Sequence, residues 1–439
     1  MAVTAIAFLL LYAAGVVLTF RAPAYGALTA ILLYFLNPTQ QWWSVYIPNI
    51  RYIFFINLAL LTCFVFNYSR FRDNKFTQVP HFIWLIMMIL LVLLSGQFAV
   101  DMFHHDLFVG RAIKIWIFVF VFFKVIDSQK FLDWAIGCYC AGAFYASYRA
   151  WEIGRRFGAR LEVINLADGT DVNGVAVAVL ISIPFLIFYV FWGQNKYLRL
   201  VSLGALAFNV NALVLFNSRG AFLGLVCSII YMFYRLLREK QGKGIYLRIV
   251  AVVVLSVSVL LYMADDSFWE RMQTIDHEQQ DTEQHVSRVE FWMKSFDMLR
   301  DHPFGTGGGG YEALSSRYLP GKWLSRGSRA VHSTWFEVLV SFGFQGIFVY
   351  LLYWYFCFHE LKVVRKYLLR EESVNEFRFH QSIALEASLV AYMVPASFIG
   401  TFFVEYSYWV PMFIAVFYRI YYLQPLKLAS SIKNGLKVG

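Results

Sequence analysis

Between Leu198 and Tyr234 the chain is apolar over most of its length, and the polar break near its middle is Asn217-Ser218-Arg219-Gly220. Drawn as one helix, this run would be roughly 55 Å long at 1.5 Å per residue, against a bilayer hydrocarbon core of about 30 Å. It has to fold back, and the polar tetrapeptide is where it can turn. Comparable apolar runs recur near 2–20, 24–36, 50–68, 81–99, 108–126, 130–149, 173–193, 246–264, 334–358, 382–402 and 408–424. Together they predict thirteen spans, or twelve if the short second run is re-entrant or interfacial. With 59% apolar and 15% charged residues, against about 45–50% and about 25% in soluble domains, the chain has too little polar surface for a water-soluble Rossmann or barrel enzyme. The expected class is an all-α polytopic membrane protein: a single transmembrane domain over 1–439, with loops inserted at 265–333 and 150–172.

Charge sets the expected orientation. With 265–333 placed outside, 22 of the 38 basic residues fall on the inner side, as the positive-inside rule requires. The C-terminus is then cytoplasmic and both loops extracytoplasmic. The net charge of +10 reads as basic loops beside anionic lipid rather than as a nucleic-acid surface. Ala2–Phe20 lacks a basic leader and a small-residue cleavage site, so it reads as a retained helix. All five cysteines lie in apolar runs, which argues against a disulfide framework or a zinc site. There is no His-x-x-x-His or His-Glu-x-x-His pattern, and no metal site is expected.

Within the long loop, Val289, Trp292, Met293, Phe296 and Leu299 recur at helical spacing and predict an amphipathic helix at the membrane surface. Ser287 and Glu290 fit a capping box at its start, and Thr334 and Glu337 fit another at the start of the next span. Pro303 and the glycines at 305 and 307–310 end the surface helix; without a following Lys-Ser/Thr they are no nucleotide-binding loop.

Arg219, Arg288 and His332 each stand at a predicted helix start on the same side of the membrane. Free N–H groups and about half a positive charge collect there, and arginine adds a planar fork of donors suited to phosphate oxygens. Should these starts converge, they form an anion site sized for a phosphate or pyrophosphate. Plainer readings stand beside this one: Arg219 snorkelling to headgroups, Arg288 solvated, His332 an interfacial hydrogen bonder, Glu337 a capping acid. Arg111 and Lys114 lie three apart within a span, Arg155, Arg156 and Arg160 follow in the smaller loop, and Glu386 could pair with Arg111 and Lys114.

These residues sit in a recognisable pattern. Phe216-Asn-Ser-Arg-Gly-Ala-Phe-Leu223, Ser287-Arg-Val-Glu-Phe-Trp292, His302-Pro-Phe-Gly-Thr-Gly-Gly, and Val331-His-Ser-Thr-Trp-Phe with Phe342-Gly-Phe-Gln-Gly346 resemble the O-antigen ligase/polymerase superfamily. Asn37-Pro38 and Ile47-Pro-Asn-Ile-Arg51 resemble the O-glycosylation ligases associated with exosortase systems. Ser341 departs from the pattern, since relatives often carry an acid there. The resemblance implies a GT-C-like helical bundle in the bacterial inner membrane and a metal-independent, cofactor-free glycosyltransferase. Such an enzyme moves a glycan from undecaprenyl diphosphate to an acceptor on the periplasmic face, most simply lipid A–core oligosaccharide. A second lipid-linked glycan (polymerase), a protein hydroxyl, or a transporter that only binds lipid-linked glycan are the alternatives. On this reading Arg219 and Arg288 hold the diphosphate and His332 activates the acceptor. Arg111, Lys114, Arg155, Arg156 and Arg160 make further diphosphate or glycan contacts.

Overall fold

The computed structural model describes residues 3–154, 161–238, 250, 288–324, 327–370 and 375–435. Arg155, Arg156, Arg160, all of the expected span 246–264 but residue 250, and the cap Ser287 lie outside the described residues. Among those described, regular structure is all helical. The helices are α1 (Val3–Arg21), α2 (Pro23–Leu36), α3 (Tyr52–Phe66), α4 (Tyr68–Phe71), α5 (Pro80–Leu94), α6 (Met102–Val125), α7 (Gln129–Ile153) and α8 (Val172–Trp192). They continue with α9 (Lys196–Phe216), α10 (Arg219–Arg238), α11 (Arg288–Asp301), α12 (Gly310–Tyr318), α13 (Thr334–Leu368), α14 (Glu376–Ala396), α15 (Trp409–Tyr418) and α16 (Gln424–Gly435). Six of the described helices are long and apolar enough to cross a membrane, and seven if the pair bent by 82° at Tyr52–Phe66 and Tyr68–Gln78 is one span. The chain is a multi-pass membrane protein.

The 198–234 run folds as its length demands. Asn217 closes α9 at φ 48°, ψ 49° and donates its backbone N–H to Leu213, and α10 starts two residues later. A left-handed C-cap is one of the few conformations asparagine takes readily. The short second run is a 14-residue helix, about 21 Å long, too short to face lipid throughout. It is sheltered instead. Ten of its residues are buried, and small residues bring α1 and α2 together: a β-carbon at Gly15 would lie 2.6 Å from the Thr29 hydroxyl.

At the centre, α8 is buried along most of its length by its helical neighbours. Buried polar groups fasten it: Asn209 donates to the Ser182 hydroxyl at 2.8 Å, and Ser388 donates to the Ile181 carbonyl at 3.0 Å. In an apolar medium these side chains have few other partners, so they lock helix to helix.

The starts of α8, α10 and α13 and the ends of α9 and α14 share one face of the bundle, here the loop face. The opposite, far face carries a series of buried ion pairs. Glu386 was expected to meet Arg111 and Lys114 or no identifiable partner; it accepts from Arg235 at 3.1 Å and Arg365 at 2.8 Å instead. His81 donates its backbone N–H to Glu360, and its ring bonds the same carboxylate, both at 2.8 Å.

The surface helix forms, but with a different inner face. Phe291, Ser295, Met298 and Leu299 of α11 are buried, and Phe291 and Met298 pack with Tyr311, Leu319, Val331 and Val340. Of the expected stripe, Val289, Met293 and Phe296 remain exposed. Leu299 of that stripe is buried and Trp292 packs against the same cluster, so the covered face is shifted towards Phe291 and shares two of the five expected residues.

Candidate functional site

The loop face is organised by a break in α13. Gly343 has φ 69°, ψ −171° inside that helix. The break frees carbonyls one turn earlier, and the glycine-rich segment after α11 takes them: Thr306 N–H donates to Val340 at 2.9 Å and Gly307 N–H to Ser341 at 3.0 Å. Gln345 returns a bond to the Phe304 carbonyl at 2.9 Å. The fit is close enough to exclude side chains. A β-carbon at Gly305, where φ is 101°, would lie 2.5 Å from the Ser341 carbonyl oxygen. The His302-Pro-Phe-Gly-Thr-Gly-Gly and Phe342-Gly-Phe-Gln-Gly stretches are thus two halves of one joint that fixes α11 against α13. Ser341 serves it through its backbone, with its side chain buried.

The first turn of α13 holds a second segment, 397–402. Thr334 donates to the Ile399 carbonyl at 2.7 Å and pairs with the Thr401 hydroxyl at 2.8 Å, and Trp335 donates to the Ser397 hydroxyl at 3.0 Å. Glu337 accepts the Phe402 N–H at 3.4 Å. This corrects the expected capping box: the N-cap is Ser333, without a side-chain bond, and Glu337 braces the 400–402 turn.

That segment presents Phe398, on which the site converges. The Arg288 guanidinium lies 5.9 Å from the Phe398 ring centre. Trp292, one turn along α11, lies 6.2 Å from the same ring and stacks on Phe336 at 5.3 Å. The start of α10 also approaches Phe398, with a β-carbon at Gly220 falling 3.5 Å from it. Arg288, the first residue of α11, thus lies against this ring, and α10, which Arg219 opens, approaches it one residue later.

His332 stands beside them at φ 50°, one of three described non-glycine residues with positive φ. That conformation is uncommon for a side chain of this size. The bonds of Thr334 and Trp335 on one side and the packing of Val331 on the other hold the backbone there. The ring stays accessible and lies 6.4 Å from that of Phe291. Loss of surrounding water lowers its pKa from the usual histidine value; Arg288 and Arg329 lower it further, and Asp171 opposes them. Asp171 also caps α8, accepting the Gly174 N–H at 2.9 Å. Its neighbour Asn173 accepts from Ser218 at 3.1 Å, which ties the 171–173 segment to the turn before Arg219.

The structure thus brings Arg288 and the first turn of α10, which Arg219 opens, to Phe398, and His332 to Phe291 on the same helix as Arg288. Arg111 and Lys114 are exposed on α6. Arg111 lies 5.6 Å from the Phe108 ring centre, and no described contact joins either residue to the Phe398 group. Sequence reasoning missed Phe398, Arg329 and Asp171. The segment 397–402 carries no motif, Arg329 resembles any loop arginine, and only the Asp-x-x-Gly cap spacing marks Asp171. Among the described residues no group of three His, Cys, Asp or Glu side chains is placed to hold a metal ion. The arrangement offers an anion the arginine of α11 and the nearby start of α10, and offers in His332 an imidazole whose lowered pKa favours the neutral form.

An O-antigen ligase family model matches residues 204–351, the stretch that holds Arg219, Arg288, Arg329 and His332. No curated protein matches the chain. The family indicates glycosyltransferase activity of the O-antigen ligase/polymerase type. The match over residues 204–351 supports a place for this multi-pass bacterial membrane protein in the O-antigen ligase superfamily.

Proposed function

We propose that the chain transfers a glycan from undecaprenyl diphosphate to an acceptor hydroxyl at the loop face, on the periplasmic side of the inner membrane. Lipid A–core oligosaccharide is the acceptor favoured here. The observation that carries this reading is the approach of Arg288 and of the helix start at Arg219 to Phe398, with His332 close by against Phe291. In the reaction the acceptor oxygen bonds to the anomeric carbon as the bond from that carbon to the diphosphate oxygen breaks. Negative charge grows on the leaving diphosphate, and preorganised arginines are most effective where such charge develops. Arg219 and Arg288 fill that role, with Arg329 adding positive charge nearby. The acceptor proton passes to the imidazole of His332, which its lowered pKa keeps in the neutral, accepting form. With cations on the leaving group, no divalent ion is needed. Arg111, Lys114, Arg155, Arg156 and Arg160 are proposed as outlying contacts to the donor.

The test is transfer by purified protein with a lipid-linked glycan and, in parallel, lipid A–core, a second lipid-linked glycan and a peptide acceptor. Product on lipid A–core supports ligation. Product on another acceptor keeps the chemistry and changes the partner. Donor binding without any product favours a transporter and rejects the proposal.

A further inference from the structure

A basic cavity of about 430 Å³ opens on the far face between α10, α13 and α14. Arg235 and Arg238 come from α10, Lys362, Arg365 and Lys366 from α13, and Glu386 is the one carboxylate among its lining residues. The positive-inside rule accounts for cations in loops. It does not account for the burial of one of them, Arg365, at the floor of a cavity. Arg365 is 4% exposed. Both oxygens of Glu386 are engaged, one by Arg235 and one by Arg365, and the buried Nη1 of Arg365 has no hydrogen-bond partner. Arg235 and the buried Arg365 thus hold Glu386 between them, and Arg365 keeps one N–H face unengaged inside the cavity. Lys362 and Lys366, one turn apart and both exposed, extend the positive field to the rim, where Arg238 joins them.

We infer that this cavity binds a phosphate-bearing anion, a separate site on the face opposite the Phe398 group. Guanidinium forks at the floor and ammonium groups at the rim match phosphate oxygens. The volume suits a phospholipid headgroup or a small soluble phosphate. The inference does not depend on the glycan-transfer reading.

The experiment measures how fast an amine-reactive reagent modifies Lys362 and Lys366 in the full-length protein, read by mass spectrometry. The protein is held in nanodiscs of phosphatidylcholine, of phosphatidylcholine with phosphatidylglycerol, or of phosphatidylcholine with added inorganic pyrophosphate. Labelling of both lysines is expected to slow about tenfold with a bound anion, as one charge-assisted contact implies. Slowing by phosphatidylglycerol identifies a lipid headgroup; slowing by pyrophosphate alone identifies a soluble phosphate. Lys75, exposed and outside the cavity, should be unaffected. Arg238→Gln, at the rim and outside the ion triad, should restore most of the labelling, and Arg365→Gln should restore it fully. If neither probe protects, if Lys75 is protected equally, or if Arg238→Gln changes nothing in a folded protein, the inference is overturned.

Discussion

Substituting Gly305 by alanine tests the joint that holds the loop face together. The new β-carbon would lie 2.5 Å from the Ser341 carbonyl oxygen and 2.8 Å from both Gly343 N and Phe342 Cα, all backbone atoms that cannot rotate away. Ordinary contact begins near 3.4 Å, so the two strands of the joint must part by about 0.9 Å. The Gly307–Ser341 bond, 3.0 Å now, would stretch past hydrogen-bonding range, and the neighbouring Thr306–Val340 bond would strain with it. Two backbone bonds at about 1 kcal/mol each, plus about 1–2 kcal/mol for alanine at φ 101°, give about 3–4 kcal/mol. The five free cysteines, all buried or half-buried, report unfolding through a thiol-reactive dye. Gly305→Ala should lower the unfolding midpoint by roughly 5 °C and depress transfer. Gly204→Ala, where a β-carbon would meet nothing within 4 Å of a regular helix, should leave the midpoint unchanged or raise it. A Gly305→Ala protein as stable and as active as wild type would refute the joint.

The pH profile follows from His332. Partial burial and then Arg288 hold its pKa below the usual histidine value, and the neutral ring is the accepting form. Transfer should therefore fall only as pH drops through that lowered value, and Asp171→Asn, which removes the opposing charge, should move the fall to still lower pH. An acid limb at or above the ordinary histidine pKa would count against His332 as base. Excess EDTA should leave transfer near its untreated rate. A loss restored by one divalent ion would shift weight to Asp265, Asp266 and Asp281, which lie outside the described residues. Ser316, exposed on α12, should as Ser316→Cys react with an impermeant thiol reagent in intact spheroplasts; labelling only after permeabilisation would invert the proposed orientation.

The helical class and the turn at Asn217 were legible because bilayer thickness leaves a long apolar run little choice, and a short polar break marks where it yields. Helix starts at Arg219 and Arg288 were legible from the same boundaries. The approach of both helix starts to one ring was not, because that ring, Phe398, lies 110 residues beyond Arg288 in a segment without any chemical signature. Glu386 shows the same limit. Its partners stand 151 and 21 residues away, and a carboxylate in an apolar run announces a need for a cation without naming it. The face of α11 was misjudged for a different reason. Periodicity finds an apolar stripe, but with Phe291 and Val289 on different sides, packing decides which stripe is covered.

The most direct measurement is the rate of glycan transfer by purified protein in nanodiscs, with lipid-linked donor and its preferred acceptor, for Arg219→Ala, Arg288→Ala and His332→Ala. Each variant removes one group of the proposed site. Loss of a single charge-stabilising donor typically costs about 10²–10³ in rate, so each arginine variant should fall by about that factor. His332→Ala should still bind donor but turn over little. Three variants that fold, bind donor and transfer at the wild-type rate would contradict the account at its centre.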